Sequence, residues 1–174
     1  LDRPPVVVDL GTGSGAIALS VAREASGARV WATDRSSAAL AVARANLAGL
    51  GSLPASRVRL VEGHWFGALP PELVGRVDAI VSNPPYVASG DAVPPEVGEW
   101  EPAEALVAGP TGLEAVSQVI EEAPVWLCDS GVLVVEVAPD QAGAAAAMAL
   151  EAGFAAVDVR RDLQDRLRMV VGRV

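Results

Sequence analysis

Asn83-Pro84-Pro85-Tyr86 follows the apolar run Ala79-Ile80-Val81. A strand ending this way carries a side-chain carbonyl, at Asn83, and rigid backbone carbonyls to one place. The prolines fix φ, lack N–H groups and push the preceding residue into an extended conformation. Acceptors therefore outnumber donors, and Tyr86 adds a flat ring beside them. Such a cluster suits a planar group bearing an NH2, either a carboxamide or the exocyclic amine of a base. An ordinary turn is the alternative, since Asn-Pro commonly starts one.

A second chemical segment, Asp9-Leu10-Gly11-Thr12-Gly13-Ser14-Gly15, links an expected strand to an expected helix. Glycines there let the backbone approach a ligand closely, and a helix N-terminus offers free N–H groups. Asp34 ends the next expected strand, where a carboxylate can accept both hydroxyls of a ribose. The spacing Gly11-x-Gly13-x-x-Ala16 also fits a dinucleotide fingerprint, so this region alone does not separate NAD from S-adenosylmethionine. Two details favour the sulfonium compound. Asp9 can set a negative charge toward a positively charged methionyl group, and Trp65 can support an adenine ring. Trp65 and Phe66 also read as core residues capping the sheet. His64, the only histidine, has no Asp or Ser partner in a hydrolase-like order and reads as a loop residue near the cofactor. The single Cys128 beside Trp126 and Leu127 reads as a small buried hydrophobe. No His/Cys/carboxylate set has metal-ligand spacing.

Along the chain, β-branched runs alternate with Ala/Leu-rich stretches of helical period, the pattern of an α/β domain with a mostly parallel sheet. Strands are expected over 6–9, 29–33, 57–61, 77–82, 132–137, 154–160 and 167–172, the last two as an antiparallel pair. Helices are expected over 14–25, 36–50, 112–127 and 141–151, with Ser36 or Ser37 as an N-cap, Gln141 capping the last helix and Gly153 closing it. Between Pro84 and Pro110 lies a Pro-rich loop long enough to suggest a functional segment. No repeat or dividing linker interrupts residues 1–174, read as one domain.

The chain has 174 residues, 51% of them hydrophobic, enough for a sizeable core. Its net charge is −9, and all 13 basic residues are arginine. That balance argues against tight binding of a phosphate backbone, which needs clustered cations. No run of 18 or more uncharged apolar residues suggests a membrane span. With no leader-like segment and a lone cysteine, a cytoplasmic location is expected. The chain opens on Leu1 and reaches its first strand almost at once, so a preceding domain is expected.

Taken together, these segments resemble the release-factor glutamine methyltransferases, the HemK/PrmC family. The likeness runs through Asp9 to Ala16, Asp34, Ala39-Leu40 to Asn46, Ser82 to Val87, Glu101-Pro102 with Ala105-Leu106, and Gly112-Leu113. Glu136 with Gln141, and Asp162-Leu163 with Arg168, also match. The Glu-Pro-x-x-Ala-Leu segment followed by Gly-Leu is the most specific part. Departures are His64, where the family carries an acid that helps hold adenosine, and Trp100 in place of its tyrosine. The family's N-terminal helical domain, which engages the release factor, is also absent from this sequence.

The resemblance implies a doubly wound, Rossmann-like class I methyltransferase domain, with a seven-stranded sheet whose last strand is antiparallel. It implies S-adenosylmethionine as cofactor and a glutamine amide in the Gly-Gly-Gln loop of a release factor as acceptor. Cofactor contacts would be Asp9, Gly11, Thr12, Gly13, Gly15, Asp34, Trp65 and Asn83. Catalytic roles would fall to Asn83, Pro84 and Tyr86, and acceptor binding to these with Pro85 and Glu101. Rival readings are an adenine-N6 or guanine-N2 methyltransferase, a methyltransferase for a ribosomal-protein glutamine, a nicotinamide oxidoreductase and a non-catalytic binding module.

Overall fold

Val6–Leu10 are buried without exception and form the central strand, β1. Val6, Val7, Val8 and Leu10 supply the apolar side chains that a parallel strand covered on both faces requires, and Asp9 is the one charged residue among them. The computed structural model describes residues 3–91 and 102–174. The other strands of the main sheet are β2 (Arg29–Asp34), β3 (Val58–Glu62), β4 (Val77–Ser82), β5 (Leu127–Glu136), β6 (Ala156–Arg161) and β7 (Leu167–Arg173). Their order is β3-β2-β1-β4-β5-β7-β6. Strands β1 to β4 pair in parallel, and β6 with β7 is antiparallel. The order reverses between β1 and β4, the kind of switch point where open α/β sheets bind ligands.

The chain divides into two compact units. The first holds residues 1–82, 125–132 and 174. Helix α1 (Ala16–Glu24) buries Ala18, Leu19 and Ala22, which pack with Val7, Val30, Ala32 and Val58. Helix α2 (Ser37–Ala48) starts where expected, with Ser36 Oγ accepting from Ala39 N at 3.2 Å.

The second unit holds residues 83–124 and 133–173. Helix α3 (Glu114–Trp126) buries Val116, Val119, Ile120 and Ala123, a single stripe at helical spacing. Helix α4 (Ala142–Glu151) ends before Gly153, whose φ is +97°. The turn between β6 and β7 is closed by Asp162, whose Oδ1 accepts from Gln164 N at 2.8 Å and Arg166 N at 3.0 Å. Two features depart from the sequence expectation. Strand β5 begins earlier, at Leu127, because Gly131 O accepts from Val174 N although Asp129 and Ser130 are exposed and give no apolar signal. Inside the Pro-rich segment, Val87–Ala88 pairs in parallel with Val107–Gly109.

Candidate active site

The register of the first unit brings three strand ends level. Leu10 lies opposite both Thr33 and Ser82, and Ser82 Oγ donates to Leu10 O at 2.8 Å. From that edge β1 runs into the glycine turn. Asp9 is only 1% exposed, and its Oδ2 accepts from Thr12 Oγ1 at 2.6 Å and from Ala18 N at 3.0 Å. Its Oδ1 is buried with no hydrogen-bond partner. Burial, with a smaller contribution from the Asp34 charge, pushes the Asp9 carboxyl up to about 6 against the pull of the Thr12 and Ala18 bonds.

This arrangement bears on the cofactor. Ala18 N belongs to the first turn of α1, the place where a dinucleotide's pyrophosphate would seek bare N–H groups. A carboxylate already sits there, and at neutral pH it is mostly ionised, so an anion would meet like charge. A cation gains from the same group. The residues therefore fit a sulfonium or ammonium better than a pyrophosphate.

Asp34 ties the turn to the start of α2: its Oδ2 accepts from Gly13 N and its Oδ1 from Ser36 N, each at 2.8 Å. Each carboxylate oxygen keeps further lone-pair capacity, enough for ribose hydroxyls. Asn46 on α2 adds a tie, its Nδ2 donating to Ser14 O at 2.9 Å. Thr12 is buried and serves Asp9. Gly11 takes φ +69°, and a Cβ there would stand 3.1 Å from the Trp65 ring. Trp65 thus lies against the turn, half-buried. Phe66 is 1% exposed and stacks on Trp126 at 5.7 Å between centroids. The two aromatic residues divide the roles that sequence left open: one is core, the other flanks the glycine turn. His64 is exposed, with its ring 5.4 Å from that of Trp65.

In the second unit, Asn83 is exposed, Pro84 is buried, and Pro85 and Tyr86 are half-buried. Among the described residues, no group hydrogen-bonds the Asn83 side chain, so its amide oxygen is available. Tyr86, in contrast, is gripped at both ends. Arg168 Nη2 donates to Tyr86 Oη at 3.1 Å, and the guanidinium carbon lies 5.2 Å from the ring centroid. Gln141 Nε2 donates to Tyr86 O at 2.9 Å. The Gln141 side chain is therefore not the cap expected for α4, and its Oε1 accepts instead from Ala138 N at 3.2 Å. Gly112 has φ +78°, and a Cβ there would come within 2.6 Å of Tyr86 O. Glu136 is paired with Arg168 at 3.4 Å rather than standing free. Glu101 lies outside the described residues.

Among the described residues, no three His, Cys, Asp or Glu side chains gather as a metal would need. No described helix is long and apolar enough to cross a membrane. Sequence reasoning noted Arg168 as family pattern, Gln141 as a helix cap and Gly112 as a helix start, and missed their contacts with Tyr86. Their separation along the chain hid it.

A sheet in this order, with a glycine turn after its first strand and an acid at the end of its second, defines the class I, Rossmann-like methyltransferase fold. Solved structures agree. A methyltransferase from Pyrococcus furiosus superposes with TM-score 0.70 at 20% identity, over 98% of this chain and 76% of its own. The ribosomal protein L11 methylase of Lactobacillus delbrueckii subsp. bulgaricus gives 0.68 at 20%, over 98% and 71%. Residues 2–99 match the family described as Methyltransferase small domain, and the chain belongs to that family. It is 45% identical over 170 residues to the release factor glutamine methyltransferase of Cereibacter sphaeroides, covering 97% of this chain and 59% of that protein. The corresponding protein of Gloeobacter violaceus is 49% identical over 137 residues, 78% of this chain and 46% of the relative. The chain thus spans about half the length of the curated relatives it matches.

Proposed function

We propose that this chain is the catalytic part of an enzyme that methylates the side-chain amide nitrogen of the glutamine in the Gly-Gly-Gln loop of peptide-chain release factors. The observation that carries the reading is local: an exposed Asn83 amide, without a partner among the described residues, that precedes a tyrosine held at both its hydroxyl and its carbonyl. The identity to the release factor glutamine methyltransferases supports the same substrate.

S-adenosylmethionine, as cofactor, would supply an electrophilic methyl carbon bound to a positively charged sulfur. Asp34 would accept from the ribose hydroxyls, Trp65 would offer its face to the adenine, and Gly11, Thr12, Gly13 and Gly15 would shape the turn. Asp9 would place negative charge behind that turn, its unpartnered Oδ1 answering a cation. An amide nitrogen is a poor nucleophile because its lone pair is shared with the carbonyl. Asn83 Oδ1 and the Pro84 carbonyl would accept its two hydrogens, and Pro85 would keep the segment stiff. As positive charge develops on nitrogen those bonds strengthen, favouring the transition state over the bound substrate. Tyr86 would form the wall that orients the flat amide, and positioning of this kind can contribute ~7–11 kcal/mol. The N-methylated amide cation is a strong acid, so its proton passes to water without a dedicated base. Glu101 would anchor the acceptor loop. Acting on release factors, the enzyme would work in the cytoplasm.

The test is mass spectrometry of a release factor incubated with the protein and labelled S-adenosylmethionine. A single methyl on the glutamine of the Gly-Gly-Gln loop is expected. Label in nucleic acid, or none in the release factor, would overturn the assignment.

A further inference from the structure

Three segments distant in sequence, at Gly112, Gln141 and Arg168, converge on Tyr86. Arg168 reaches it from β7 with three commitments: Nη2 donates to Tyr86 Oη at 3.1 Å, Nη1 donates to Val137 O at 3.2 Å, and Nη2 lies 3.4 Å from Glu136 Oε1. Those anchors fix the guanidinium from one side while its face meets the tyrosine ring at 5.2 Å. A lysine has neither the fork nor the flat face for this. Gln141 acts on the backbone instead. Its Oε1 takes Ala138 N at 3.2 Å and its Nε2 gives to Tyr86 O at 2.9 Å, so flipping the amide would break both bonds. Gly112 leaves room for this carbonyl, since a Cβ would lie 2.6 Å from Tyr86 O and 2.8 Å from Gln141 Nε2.

We infer that Arg168 and Gln141 are positioning residues for methyl transfer, resting on the reading of Asn83 to Tyr86 as the acceptor-binding segment. Arg168 sets the plane of the Tyr86 ring, and Gln141 sets the path of the backbone that leads from Asn83. Neither need touch substrate or cofactor. Their effect falls on the aim of the amide, where an error of about 1 Å costs on the order of 100-fold in rate. Arg168 also keeps the tyrosine hydroxyl bonded as an acceptor, which opposes rotation of the ring out of the wall.

Tyr86 is the only tyrosine, so ring-labelled tyrosine reports on this site alone in an NMR spectrum. In Arg168→Ala and Arg168→Lys, the ring signals should move toward those of free tyrosine. Turnover of a release factor should fall about 10- to 100-fold in kcat, with KM and the dissociation constant for S-adenosylmethionine held within about twofold. Gln141→Glu keeps an acceptor for Ala138 N but puts a carboxylate against the Tyr86 carbonyl, and should give a similar kcat loss with unchanged melting temperature of α4. Tyr86→Phe combined with Arg168→Ala should be no worse than Arg168→Ala alone, the signature of a shared bond. Unmoved ring signals, or wild-type kcat in both Arg168→Ala and Gln141→Glu, would overturn the inference. Asn83→Ala serves as the control on the underlying reading. If it is inactive while the Arg168 and Gln141 variants turn over normally, only the positioning role fails. If it methylates normally, the acceptor-segment reading fails.

Discussion

The glycine turn and the segment Asn83 to Tyr86 both follow strand ends, yet they are held by different means. Around the turn, Asp9, Thr12, Gly13, Ala18, Asp34 and Ser36 bond one another within a short stretch of chain, mostly through backbone N–H groups. Around Tyr86 the partners are side chains that lie 55 and 82 residues away, Gln141 and Arg168. A turn held mainly by its own and nearby backbone depends less on the rest of the protein. A segment held from outside inherits the stability of everything that holds it, and loses its aim before the fold is lost.

The contrast can be broken by mutation. Asn83→Ala carries the largest expected effect: kcat should drop about 100- to 1,000-fold, as when a single preorganised transition-state contact is removed, while cofactor affinity stays within about twofold. Enzyme turnover with parallel calorimetry reads both, and equal losses in the two would contradict a division of labour between the regions.

The turn has its own signature in pH. The folded protein holds the Asp9 proton more tightly than the unfolded chain does, with the carboxyl raised to about 6. Stability from this group is therefore complete below the ordinary aspartate range and is lost as pH rises through about 6. The loss should be on the order of 2–3 kcal/mol in the cofactor-free protein. Urea unfolding across this range should show that slope, and Asp9→Asn should flatten it. An identical slope in the variant would remove Asp9 as its source.

Gly112→Ala sharpens the comparison from the acceptor side. A left-handed alanine pressed on a backbone carbonyl should cost about 2 kcal/mol or more and lower kcat, with cofactor binding nearly unchanged. Thermal melting and turnover test this together, and full activity at unchanged Tm would count against the tight fit. Last, Asp34→Ala should weaken S-adenosylmethionine binding about tenfold or more, since hydrogen bonds to a charged group are lost. A dissociation constant equal to wild type would argue against ribose recognition at that position.

Residue types alone made the strands, the helices, the Ser36 cap and the Gly153 stop legible, because alternation, helical period and capping are local properties. The glycine turn was legible for the same reason. The start of β5 at Leu127 was not, since Asp129 and Ser130 are drawn into the strand although their types give no apolar signal. Nor was the short ladder between Val87–Ala88 and Val107–Gly109, whose halves are too brief to show a period. Trp65 and Phe66, neighbours in sequence, were indistinguishable until the fold buried one and laid the other against Gly11.

By itself, then, the order of amino acids determined most of the elements and marked two short segments as candidates for chemistry, because both depend on interactions within a few residues. Tertiary structure alone decided that Asp9 Oδ2 is taken up by Thr12 Oγ1 and by Ala18 N at the start of α1. It also decided that Gln141 and Arg168 grip Tyr86. Burial and long-range hydrogen bonds exist only once distant segments meet, so no local pattern can announce them.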